Sequence, residues 1–160
     1  MIQRPYIFLD IDSVLVVDTQ YFTGKLHPKY NCYAFDKKCV KVLNEILEKT
    51  SSIIIVSSDW KHHYNIDTLN EIFKDNGVND IIVDVTGSSW GVMFTSLQQL
   101  DECRAYEINK YVKEHEITNW VAIDDLDLKP WIPDNFVRCT RSTEGLKQSG
   151  IKDKILKILI

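Results

Sequence analysis

The chain has 160 residues, 44% of them hydrophobic and 26% charged, with a formal net charge of −4 and only 6 Gly and 4 Pro. This length fits one domain with a core that needs no covalent staples, and the composition excludes a disordered or repetitive chain. The acidic balance argues against broad, sequence-independent binding to a nucleic-acid backbone, which needs a basic surface.

The first apolar run, YIFLDIDSVLV, predicts a strand over about Tyr6 to Leu9 that ends in Asp10 and Asp12. From Asp18 to Tyr33 no helical or alternating periodicity appears, and Tyr, Gly, His and Pro are frequent. That stretch is expected to be a loop or flap within an insertion at about residues 16–35. Val40, Val42, Leu43, Ile46 and Leu47 recur at helical spacing, so Asp36 to Lys49 should be a helix with Asp36 as its N-cap. SSIIIVSSDW is the second buried strand. Asp67 is expected to cap the helix DTLNEIFKDNG, with Leu69, Ile72 and Phe73 facing the core and Gly77 closing it.

NDIIVDV gives a short third strand, and GSSWGVMFTSLQQLD an irregular segment leading into a helix. CRAYEINKYVKEHEI is helical, with Ala105, Ile108, Tyr111 and Val112 on its apolar face. NWVAID and NFVRCT are strands four and five, and Ile151 to Ile160 is a closing amphipathic helix. Strands that alternate with helices imply parallel pairing. The expected fold is a single α/β domain, doubly wound and Rossmann-like, in three layers over residues 1–160.

The four cysteines form no CxxC pair and have no histidine at zinc-finger spacing, so they are expected to be reduced thiols. No apolar stretch reaches the length of a membrane span, and acids interrupt the N-terminal apolar run where a signal peptide needs continuity. A cytoplasmic protein with no membrane partner is expected. Lys37, Lys38 and Lys41, and again Lys147, Lys152, Lys154 and Lys157, are placed as solvated helix faces or local basic patches.

The chemistry lies at the strand ends, where open α/β sheets bind their ligands. Two carboxylates spaced DxD point to one side if the strand continues. Such a pair suits a division of labour in which one attacks an electrophile and the other handles the proton. WVAIDDLDL adds Asp124 and Asp125 at a second strand end. If the two strands are neighbours, up to four carboxylates converge, and only a bound cation or raised pKa values make that tolerable. A hard divalent cation with oxygen ligands would let a phosphoryl group approach, which points to Mg²⁺. Ser57 and Ser58, through hydroxyls and backbone N–H groups, are candidates for gripping that group. Arg104, placed at a helix start, is the candidate for neutralising its charge.

Taken in order, these features resemble the haloacid dehalogenase-like superfamily of aspartate-nucleophile phosphatases. Asp10, Ile11, Asp12, Ser13 and Val14 match its first motif, DxDx[TV]; Ser57 matches its second, an apolar strand ending in Ser or Thr. Arg104 matches the third, a basic residue near a helix start, and Asp124 with Asp125 the fourth, an apolar strand ending in an acid pair. The IDD form and the helix begun by a basic residue are most similar to the phosphatase domains of polynucleotide kinase-phosphatases and related nucleic-acid repair enzymes. The resemblance implies that Asp10 is the nucleophile and Asp12 the general acid and base. It implies Mg²⁺ held by Asp10, the backbone carbonyl of Asp12, and Asp125, with Asp124 supporting, and a phosphoryl group held by Ser57 and stabilised by Arg104. Ser13 departs from the pattern, since many members carry Gly there, and bears on the backbone turn after Asp12.

The intervals after the first two motifs are too short for a large cap domain, so the site should be open to a bulky phosphate bearer. A nucleic-acid end, a nucleotide or another phosphomonoester would fit. The alternative is a catalytically inactive module of the same fold that binds without turnover. Arg104 also has the bland reading of a salt-bridge partner for Glu107 or Asp101, and Lys110 and Lys113 are other candidates for the third motif. His62 and His63 diverge and so do not ligate jointly, but they could contact substrate. Trp60, Tyr64, Trp90 and Trp131, and Tyr21, Phe22, Tyr30 and Tyr33 in the early loop, either stack on a substrate ring or close the core.

Overall fold

The computed structural model describes residues 3–89 and 100–160. Five strands form one fully parallel sheet: β1 (Tyr6–Leu9), β2 (Ile53–Val56), β3 (Ile82–Val85), β4 (Trp120–Asp124) and β5 (Phe136–Arg138), in the spatial order β3-β2-β1-β4-β5. The chain builds outward from β1 through β2 to β3, then returns to the other side of β1 for β4 and β5. The winding therefore reverses between β1 and β4, and a crevice opens beyond the carboxyl ends of strands at such a reversal. Tyr6 lies opposite Ile53 on one side and Trp120 on the other, so the carboxyl ends of β1, β2 and β4 come level.

Alternation along β1 splits the core. Ile7 and Leu9 face one layer with α2 (Lys37–Thr50), α3 (Ile66–Asp75) and α5 (Ile151–Leu159), which contribute Leu43, Ile46, Leu69, Ile72, Phe73 and Ile155. Phe8 faces the opposite layer and meets Ala105, Ile108 and Tyr111 of α4 (Leu100–Glu114). Its ring stands edge-on to Tyr111 and Trp120 at 5.6 and 5.5 Å. The three-layer, doubly wound α/β expectation holds, and no cap domain stands among the described residues.

Local sequence explains most boundaries and two corrections. Asp36 caps α2 by accepting from the backbone N–H groups of Lys38 and Cys39. The cap of the helix before β3 lies two residues earlier than expected: Asn65, not Asp67, accepts from Thr68 N–H, and Asp67 sits in the first turn, where its charge favours the helix dipole. The Asp18–Tyr33 stretch is not all loop, because it opens with a short helix, α1 (Asp18–Thr23). Gln20 forms that helix's start by accepting from Val17 N–H, and Gly24 ends it in the left-handed region. A polar side chain and a glycine, rather than apolar periodicity, make this element. The irregular segment expected from 87 to 101 lies largely outside the described residues, as does Trp90.

Past β1 the chain curls sharply. The Ile11 carbonyl accepts from the N–H groups of Val14, Leu15 and Val16, and Ser13 sits at φ 62. The side of this turn packs against Gly145, where an added Cβ would lie 2.5 Å from the Val14 carbonyl oxygen. Leu146 N–H donates to that same carbonyl.

Candidate active site

Asp10 is the first residue beyond β1, and its N–H donates to the Ile123 carbonyl of β4 at 3.0 Å. The ladder thus carries Asp10 up to the end of the neighbouring strand, where Asp124 closes β4 and Asp125 follows. Ligand oxygens of Asp10, Asp124 and Asp125 all lie within 4.8 Å of one another. The early and late acidic strand ends meet at the reversal of the sheet. Asp10 is 4% exposed and Asp124 fully buried, so their mutual repulsion is little screened by water.

Arg104 answers that repulsion. Its guanidinium lies 2.7 Å from Asp124 Oδ2, 3.3 Å from Asp10 Oδ1 and 3.2 Å from Asp59 Oδ1. Burial opposes its charge, but the three carboxylates outweigh burial and hold the guanidinium more firmly protonated than usual. It is the fifth residue of α4, not at the helix start as its spacing suggested. The helix axis therefore contributes little, and the acids alone explain its placement. The bland pairing with Glu107 or Asp101 does not occur, since Arg104 faces the strand-end acids. Lys110 pairs with Glu114 on the exposed face, and Lys113 is also exposed.

One cation does not satisfy three acids. Burial first, then the charge of Asp10 and a hydrogen bond to it, push Asp125 up to about 7, and burial with the Asp10 charge raises Asp124 well above the ordinary carboxylate range. Without a further cation, the cluster must hold protons near neutrality.

Asp12 stands apart from this trio. The strand ends at Leu9, so the period-two argument that placed Asp12 beside Asp10 does not carry through the turn. Instead, Tyr21 of α1 donates to Asp12 Oδ1 at 2.8 Å and Trp60 Nε1 donates to Oδ2 at 3.0 Å. Asp12 keeps solvent-accessible surface, yet crowding by protein raises its pKa, with help from Asp10 and Asp59 and against the lowering effect of the two donors. A carboxyl whose pKa is raised in this way holds a proton more readily than an ordinary carboxylate, as a proton donor needs to.

The two serines at the end of β2 behave differently. Ser58 Oγ accepts from Trp60 N–H and caps the 3₁₀ turn Asp59–His62. Ser57 N–H is not available to a ligand, because it donates to the Leu9 carbonyl in the sheet. The Ser57 hydroxyl is fully buried and, among the described residues, is the buried side-chain oxygen left without a hydrogen-bond partner. Such an orphan at a strand end needs an explanation, and a bound oxygen-rich ligand supplies one.

Several residues around the site were not assigned to it from sequence. Asp59 directly follows the serines and meets Arg104, and Tyr21 and Trp60, which the sequence offers as stacking or core residues, are donors to Asp12. Lys61 and Glu107 form a buried ion pair at 2.6 Å, with Lys61 also donating to Thr86 Oγ1 and Glu107 accepting from Ser89 N–H and Oγ. Burial lowers the Lys61 pKa despite its partner. The one available signal was position: all three residues after Ser58 lie just beyond a strand's carboxyl end. A cleft of about 520 Å³ adjoins Asp12 and is walled by Tyr21, Tyr33, Trp60 and Tyr64. A larger groove of about 720 Å³ between α2 and residues 77–80 contains none of the site residues.

Comparison with known families gives one match. The family described as the HAD domain in Swiss Army Knife RNA repair proteins, where HAD stands for haloacid dehalogenase-like, matches residues 6–151. No curated protein and no solved structure matches the chain.

Proposed function

The chain belongs to the HAD domain family of Swiss Army Knife RNA repair proteins, and from that membership we propose that it is a Mg²⁺-dependent phosphomonoester hydrolase acting through an aspartyl-phosphate, with nucleic-acid ends or nucleotides as substrates. The observation that carries this reading is the meeting of Asp10, Asp124 and Asp125 at the reversal of the sheet, with their ligand oxygens within 4.8 Å. Three hard oxygen donors, short of positive charge even with Arg104 present, fit a divalent cation of the Mg²⁺ type. Asp10, the backbone carbonyl of Asp12, and Asp125 would hold it, with Asp124 supporting. When bound, Mg²⁺ would draw charge from the phosphoryl oxygens and let the anion approach the acids.

In the proposed reaction, an Asp10 carboxylate oxygen attacks phosphorus and the bond to the leaving oxygen breaks. Asp12, oriented by Tyr21 and Trp60, gives its proton to that oxygen. Water then attacks phosphorus, Asp12 takes the proton back, and the bond to Asp10 breaks to release phosphate. Arg104 fixes the orientation of Asp10 through its 3.3 Å contact and adds positive charge near the developing oxyanions. The buried Ser57 hydroxyl supplies a donor for one phosphoryl oxygen.

The test is Mg²⁺-dependent release of phosphate from a generic aryl phosphate. Asp10→Asn should abolish release and prevent trapping of a phosphorylated chain by acid quench. Undiminished turnover in that variant would remove Asp10 from the role of nucleophile.

A further inference from the structure

The cleft beside Asp12 faces the part of a substrate that the phosphoryl transfer leaves behind. Asp12 follows Asp10 by two residues and lines this cleft, and in the reading above it protonates the leaving oxygen, so the leaving alcohol must extend from Asp12 outward. What lies there is aromatic. Tyr21 meets Tyr33 edge-on with ring centroids 4.7 Å apart, and Trp60 lies 5.8 Å from Tyr64. Both pairs are anchored, Tyr21 and Trp60 through Asp12 itself and Tyr64 through a hydrogen bond to the Asn31 carbonyl. The walls are therefore set before a ligand arrives.

Polarity and charge narrow the occupant. Asn31 and His63 at the rim offer an amide and an imidazole, while no Lys or Arg lines the cleft. A second phosphate or an acidic peptide would meet Asp12 with no compensating cation. A neutral ring with hydrogen-bonding edges meets aromatic faces and two polar rim groups. The volume, about 520 Å³, lies in the range of small-molecule sites.

Resting on the phosphatase reading, we propose that this cleft is a nucleobase subsite, in which the base of the nucleoside bearing the scissile phosphate stacks among Tyr21, Tyr33 and Tyr64, with the buried Trp60 backing the wall. Stacking on an aromatic side chain contributes about 1–3 kcal/mol per base. A base should therefore raise kcat/KM by about 5- to 150-fold over the same sugar phosphate without one.

The experiment compares kcat/KM of the whole chain with Mg²⁺ for four substrates: a nucleoside monophosphate, a phosphorylated oligonucleotide, base-less ribose phosphate and a phosphotyrosine peptide. The base-bearing substrates should exceed ribose phosphate by about fivefold or more. Tyr33→Leu, which spares the donors to Asp12, should collapse that ratio, with circular dichroism confirming the fold. If Tyr33→Leu does not fold, His63→Ala at the exposed rim should lower the ratio instead. Equal rates for the mononucleotide and the oligonucleotide identify a free nucleotide as the source of the base, and a higher rate for the oligonucleotide identifies a strand end. Equal cleavage of ribose phosphate, preference for the phosphopeptide, or an unchanged ratio in the variants would each overturn the subsite. If no substrate is hydrolysed, the phosphatase reading fails, and the cleft is judged by fluorescence titration with free nucleoside. Saturable quenching that weakens in Tyr33→Leu would uphold the subsite, and no binding by the intact chain would overturn it.

Discussion

Replacing Asp125 by Asn should make the metal-free protein more stable and remove most of the stabilisation that Mg²⁺ confers. Asp125 pays for its position near Asp10 with a carboxyl held up to about 7, against 3.8 in the absence of such neighbours. A group whose pKa is raised on folding costs nothing at a pH where both states are protonated. Its cost grows as pH climbs through 4 and levels off above about 7. The full shift would amount to about 4 kcal/mol. Partial solvent access reduces the expected gain to about 1–2 kcal/mol at pH 7.5. For a chain of this length that is a rise in Tm of about 3–6 °C. Thermal unfolding with chelator, at pH 7.5 and at pH 5, reads it directly. The variant should melt higher at pH 7.5, the difference should shrink at pH 5, and added Mg²⁺ should raise the Tm of the parent more than that of the variant. A variant that melts at or below the parent at pH 7.5 in chelator, with the same response to Mg²⁺, would refute the reasoning that these acids repel one another and await a cation.

Four further outcomes follow from the same geometry. Arg104→Met leaves Asp10 and Asp124 buried without their counter-ion, so urea unfolding should show a loss of about 3–5 kcal/mol, and phosphate release should fall with it. Trp60→Phe removes a hydrogen bond that favours ionised Asp12, so the descending limb of the pH profile of kcat/KM, where the proton donor is lost, should move to higher pH. Gly145→Ala puts a Cβ into the Val14 carbonyl at a residue with φ 54, so denaturant unfolding should show a loss of about 2 kcal/mol or more. Ser13→Gly relieves a left-handed residue, and the same measurement should show a gain of no more than about 1 kcal/mol.

Strands were legible because they are short apolar runs that end in polar residues; which strand pairs with which was not. Nothing local distinguishes Asp10 from any other acid after such a run, and the alternation of strands and helices implies parallel pairing without saying that its strand lies beside the one ending in Asp124, which only the reversal of the winding brings about. Asp12 was harder. Its distance from Asp10 along the chain suggested a shared direction, but the turn on the Ile11 carbonyl breaks the strand and hands Asp12 to Tyr21 and Trp60. Those two donors lie on separate elements, and no spacing rule connects them to position 12. Glu107 shows the same limit from the other side. It lies one helical turn from Arg104, so local pairing looked natural, whereas the packed structure gives it Lys61 and leaves Arg104 to the strand-end acids. Helix α1 was invisible to periodicity because a side-chain cap and a glycine, not an apolar stripe, define it.

The central place of β1 has a consequence for how the protein is made. Its two ladders join Tyr6 to Ile53 and Tyr6 to Trp120, so β1 precedes both of its neighbours along the chain and is fully flanked only after β4 has been made. Until β4 emerges, one edge of YIFL stays open to other chains, and the closure that covers it is a slow, long-range one. A nascent chain stalled between β3 and β4 would present a sticky apolar edge and no assembled acid cluster. Ribosome-bound intermediates of this length should be the stage at which chaperones are most needed.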